Sequence, residues 1–150
     1  MQTTASRLLR LYLWFIAIFH LFVGLSVNLS EPFTRMIAAG YGARVDWTPQ
    51  FTYILHPLGA FMIVLGLLAA VAARQPARYP AVILGFVVLF AIRALHRLFY
   101  RDVLLSAFGI TYARSMTMLA VFAIQAIVLY LLWRAAREPE VVPPGAALAA

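Results

Sequence analysis

Four apolar runs, each long enough to cross a bilayer, leave this chain few folds to choose from. They extend from Leu8 to Asn28, Pro49 to Ala73, Ala81 to Tyr100 and Tyr112 to Trp133. A hydrocarbon core of about 30 Å takes about 20 helical residues, and within lipid each backbone N–H and C=O must be satisfied inside its own segment. The runs therefore predict helices. Composition agrees, because 65% of the 150 residues are hydrophobic and too little polar surface remains to cover the chain in water. The expected fold class is all-α, an integral membrane antiparallel four-helix bundle over residues 1–137, with a Pro/Ala-rich tail over 138–150. The first run is read as a span and not as a cleaved leader, since it exceeds a usual signal-peptide core and no A-x-A site follows it.

The connections differ in kind. Spans two and three are joined by Arg74-Gln-Pro-Ala-Arg-Tyr-Pro80, whose prolines predict a tight antiparallel turn. The other two loops are longer and amphipathic. Ser30-Glu31-Pro32 opens a short helix carrying Phe33, Met36 and Ile37, ended by Gly40 and Gly42, and Val103 to Phe108 forms another, stopped by Gly109. Two spans separate these loops, so both short helices are expected to lie in the interface on one side of the membrane. Thr48 and Thr111 are placed to cap the second and fourth spans.

All twelve basic residues are arginine, against five acids, and they sit singly beside apolar runs instead of forming a basic arm. That pattern anchors helix ends to headgroups and excludes nucleic acid as a partner. The arginines divide almost evenly between the two sides, with a slight lean to cytoplasmic termini and a bacterial inner membrane. The absence of cysteine removes disulfides, thiolate metal sites and thiol redox chemistry.

Function should show among the polar residues inside the spans. His20, His56 and His96 fall in one leaflet, on the order of 12, 10 and 6 Å from the helix ends on the long-loop side at about 1.5 Å per residue. Three imidazoles at similar depth could hold haem, a quinone or a neighbour's pigment, or could each be an isolated hydrogen-bonding group. Bulky and cationic neighbours of His20 and His96 argue against joint ligation of haem or metal, so neither is expected as a resident group.

Arg93, His96, Arg97, Tyr100 and Arg101 follow i, i+3, i+4, i+7, i+8, which puts them on one helix face. Such a stripe calls for anions: Asp102, Asp46, Glu31, a lipid phosphate or a partner's carboxylate. Arg93 lies deepest and is expected to be paired with an acceptor. In the second span, Pro57 predicts a kink beside His56, and Gly66 with Ala70 forms a small-residue patch for close helix contact. Gln125 reads as an interhelical donor, while Ser115 and Thr117 can bond back to their own helix.

No nucleophile, base and orienting group occur in a recognisable arrangement, nor does a P-loop, GxGxxG or HExxH, and this favours a non-enzymatic role. No acid lies within a span, which weighs against proton-coupled transport. With the stretch Leu55-His-Pro-Leu-Gly-Ala-Phe-Met-Ile-Val-Leu-Gly66 and the tight loop Ala73-Arg-Gln-Pro76, the layout over Leu8 to Arg134 resembles the DoxX-like and BphX-like small membrane proteins. The resemblance implies a four-helix bundle, in some cases a companion of quinone-linked oxidoreductases. Two functions are thus expected: an accessory subunit of a larger photosynthetic or respiratory membrane complex, binding lipid and partner subunits through helices, loops and tail, or a redox subunit holding haem b or quinone through its histidines.

Overall fold

The computed structural model describes residues 4–137; the tail expected to dock on partners lies outside the described residues. Six helices follow one another: α1 (Thr4–Leu29), α2 (Glu31–Gly40), α3 (Pro49–Arg74), α4 (Pro80–Phe99), α5 (Arg101–Phe108) and α6 (Tyr112–Arg137). α1, α3, α4 and α6 are each long and apolar enough to cross a membrane. These helices overrun the hydropathy boundaries, α1 starting at Thr4 and α6 continuing to Arg137. Hydropathy falls where arginines reach the headgroups, whereas the backbone ladder continues through them.

Several helix ends have a local cause. The Thr48 hydroxyl accepts from Phe51 N at 3.2 Å and the Thr111 hydroxyl from Arg114 N at 3.4 Å, satisfying first-turn donors of α3 and α6. Gly109 closes α5 with φ of +65°, a conformation only glycine adopts without strain. Its N–H and that of Ile110 return to the carbonyls of Leu105 and Leu104. α3 runs unbroken through Pro57.

α1 packs closely on α3 and α4 on α6, while α1 meets α6 and α3 touches α4 only lightly. Glycines allow the first of these approaches. A Cβ on Gly24 would stand 2.7 Å from the Gly59 carbonyl oxygen and 2.8 Å from Ile63 N, and one on Gly66 would stand 2.9 Å from Leu21 N. Side chains of α1 at Leu9, Leu13, Ile16, Ala17 and His20 recur at helical spacing and fill the centre against Phe86 and Phe90 of α4 and Phe122, Ala126 and Leu129 of α6. The α3 residues fully buried there are small: Ala69, Ala72 and Ala73.

The outward faces are apolar: Ile54 is 65% exposed and Phe61 67%. Large exposed hydrophobic side chains continue around every long helix. In water this would be an aggregation surface, and in lipid it faces its own kind. The chain is accordingly read as an integral membrane protein. The start of α1, the α3–α4 turn and the end of α6 share one end of the bundle. Single cysteines replacing Thr4 and Gln75 should therefore label from one side of sealed vesicles, and those replacing Asp46 and Ser106 from the other. Labelling of Thr4→Cys and Ser106→Cys from the same side would contradict this topology.

Candidate functional site

At the long-loop end, the connections fold together over the bundle. The Thr34 hydroxyl donates to the carbonyls of Ser26 and Ser30 at 3.1 and 3.0 Å, pinning α2 to the end of α1. Arg44 N donates to the Phe108 carbonyl at 2.7 Å, and the Arg114 guanidinium donates to the Gly40 carbonyl. α2 thereby holds Tyr41 against α4, where the Arg97 guanidinium lies 5.8 Å from its ring centre.

Beneath this cover are two adjoining cavities that share Arg93 and Phe122. The first, about 350 Å³, is walled by aromatic side chains, among them Phe15, Phe19 and Phe90, and receives His20, Gln125 and Arg93. His20 is 1% exposed in the bundle centre. Its ring meets Phe19 and Phe86 edge-on, with centroids 5.7 and 5.6 Å away. Nδ1 lies 2.8 Å from the Ile16 carbonyl oxygen, so Nδ1 carries the proton of the neutral ring and Nε2 is left an acceptor. Nε2 has no partner, and neither has the buried Oε1 of Gln125. One aromatic cavity is thus lined by Arg93 and by two residues, His20 and Gln125, that each keep a buried acceptor without a partner.

The second cavity, about 290 Å³, holds Arg93, His96, Arg97 and Tyr100, so four members of the stripe do line one cleft. Arg101 does not join them. It belongs to α5, because the helix breaks at Tyr100, and there it pairs with Asp102 at 3.3 Å on the exposed surface. Glu31 is likewise taken, by Arg35 at 2.5 Å. No carboxylate of the described residues pairs with Arg93 or Arg97. The acceptor expected for Arg93 is instead the face of Phe122, 4.4 Å from the guanidinium carbon. Arg97 Nη1 is buried without a partner. A desolvated cation–π contact returns about 2 kcal/mol, whereas an arginine near the membrane centre costs about 3 kcal/mol on insertion scales. Phe122 offsets part of the cost for Arg93, and a buried, unpartnered N–H remains on Arg97.

The three histidines are not brought together. His20 is central, exposed His96 stands edge-on to Tyr100 with centroids 5.5 Å apart, and exposed His56 lines a shallow cleft with Glu31 and Trp47. Among the described residues no group of three His, Asp or Glu could hold a metal ion. Ser115 also departs from expectation: its hydroxyl donates across to the Arg97 carbonyl of α4 at 3.3 Å, serving an otherwise orphaned carbonyl of the last turn. Thr117 does bond back to its own helix, at Ala113. The contribution of Tyr41 carries no local signal, since it depends on where α2 docks.

Compared with protein-family models, curated proteins and solved structures, the chain finds no match.

Proposed function

We propose that this chain is a non-catalytic accessory subunit of a larger bioenergetic membrane complex, photosynthetic or respiratory. The membrane is the bacterial cytoplasmic one, with both termini on the cytoplasmic side, and kinship with the DoxX-like and BphX-like proteins belongs to the same reading. One observation carries it: Arg93 and Arg97 lie within a span with no carboxylate partner from the described residues, and Arg97 keeps a buried N–H unsatisfied. Burial of that kind is stable when something outside the chain supplies the anion, such as a partner subunit's carboxylate or a lipid phosphate. The outward apolar faces and the α2 and α5 helices give a partner surface to pack on.

Affinity purification from native membranes tests this. The wild-type chain is expected to retain partner subunits that Arg93→Leu loses and Arg78→Leu, in the α3–α4 turn, keeps. Equal retention by both variants, or a wild-type chain that purifies alone, would refute the subunit reading.

A second reading, a redox subunit, draws on the first cavity. With one imidazole entering it, the site suits the head of a quinone better than haem b held between two histidines. His20 Nε2 and Gln125 Oε1 would accept from the hydroxyls of the reduced head, and Arg93 would donate to a carbonyl of the oxidised one. Quinone in a solvent extract of the purified chain, lost on His20→Phe, is the expected sign. A Soret band would point to haem, and neither signal would leave the accessory reading alone.

A further inference from the structure

The terminus-bearing end of the bundle, opposite the Arg93 cleft, contains a third cavity that neither reading uses. It measures about 520 Å³ and lies between the start of α1, the α3–α4 turn, the start of α4 and the end of α6. Arg10, Arg74 and Arg137 surround it, with Leu9, Trp133 and Ala136 on its apolar side.

Three features give it the character of a built site. Arg10 is held in place, with Nε 3.2 Å from the Ala73 carbonyl oxygen and Nη2 3.4 Å from that of Arg74, so its guanidinium plane is fixed across the end of α3. Those bonds also occupy carbonyls that would otherwise present negative ends to the cavity. Arg137 is steadied over the Trp133 ring, 4.7 Å from its centroid. The start of α4 adds to the positive field, because Tyr79 gives it no side-chain cap and Pro80 stands in the cavity wall. No carboxylate of the described residues pairs with any of the three arginines.

We propose that this cavity binds the phosphates of an anionic phospholipid headgroup, with acyl chains descending over the partly exposed Trp133 and Ala136. The ends of membrane-spanning helices fall in the headgroup layer, and three arginines lining one cavity match a headgroup carrying more than one phosphate, as cardiolipin does. The apolar side of the cavity distinguishes a lipid from free phosphate, which has no use for it.

Native mass spectrometry of the delipidated full chain, offered cardiolipin, phosphatidylcholine or inorganic phosphate, tests the assignment. Cardiolipin should be retained in preference to phosphatidylcholine. The double variant Arg74→Gln/Arg137→Gln spares the Arg10 clamp and should weaken cardiolipin retention by about thirtyfold, the loss of two near-surface charges, while Arg78→Gln should not. Circular dichroism on the double variant checks that the bundle is intact. Equal retention of the two lipids, or equal loss in Arg78→Gln, would overturn the site. Inorganic phosphate displacing cardiolipin at millimolar concentration would overturn the lipid assignment. Cardiolipin binding seen only in Glu138→Gln/Glu140→Gln would show that the chain's own carboxylates fill the cavity.

Discussion

Gly24→Leu is expected to separate α1 from α3 and to cost about 3 kcal/mol, the upper range for overpacking a tight core. The reason is that the obstructing atoms are backbone: a Cβ at this position meets the Gly59 carbonyl oxygen at 2.7 Å and Ile63 N at 2.8 Å, and neither can rotate away. Relief requires moving one helix bodily from the other, which exposes the whole row of contacts between them. Gly85→Leu supplies the control, since a Cβ there meets nothing within 4 Å. Unfolding in mixed micelles, followed by tryptophan fluorescence, should show a large drop in midpoint for Gly24→Leu and little change for Gly85→Leu. Matching midpoints would mean that α1 and α3 do not rely on this contact.

Two replacements of His20 should part company. His20→Ala empties the middle of the aromatic cluster formed with Phe19, Phe86 and Phe90, and large-to-small changes at such sites cost about 2–5 kcal/mol. His20→Phe fills the site with a slightly larger ring and removes an acceptor that has no partner, whose burial itself costs about 1–3 kcal/mol. This variant should be as stable as wild type or more so in the same micelle assay. On the quinone reading proposed above, Phe should cost ligand and not fold. A His20→Phe chain as unstable as His20→Ala would assign the imidazole a structural role through its bond to Ile16.

Much of the architecture could be read from the sequence because its determinants are local. Spanning length, the caps at Thr48 and Thr111 and the stop at Gly109 depend on neighbours a few positions away, as does the pairing of Arg93 with Arg97 on one face. What could not be read depends on docking. Gly66 signals a close approach, but its contact with Ala17 and Leu21 of α1 follows from how two helices settle together. The same holds for the cations. Spacing puts Arg93 and Arg97 side by side, whereas Phe122 arrives from another helix and Tyr41 from a loop. Spacing carries Arg101 into the stripe as well, because a 3.6-residue periodicity persists on paper across the helix break at Tyr100, and the structure places it on α5 instead.

The backbone bond from Arg44 to Phe108 has a bearing on biogenesis. Its two ends belong to successive helical hairpins, α1 with α3 and α4 with α6, each of which pairs tightly within itself. A nascent chain can complete the first hairpin while the second is still in the ribosome, but the clasp must wait for both. Until then Tyr41 has no Arg97 to cover and His20 has no Phe86 or Phe90 around it. The half-made protein would thus show an open polar centre to the insertion machinery, and closing of the loops would mark the moment at which it can be released into lipid.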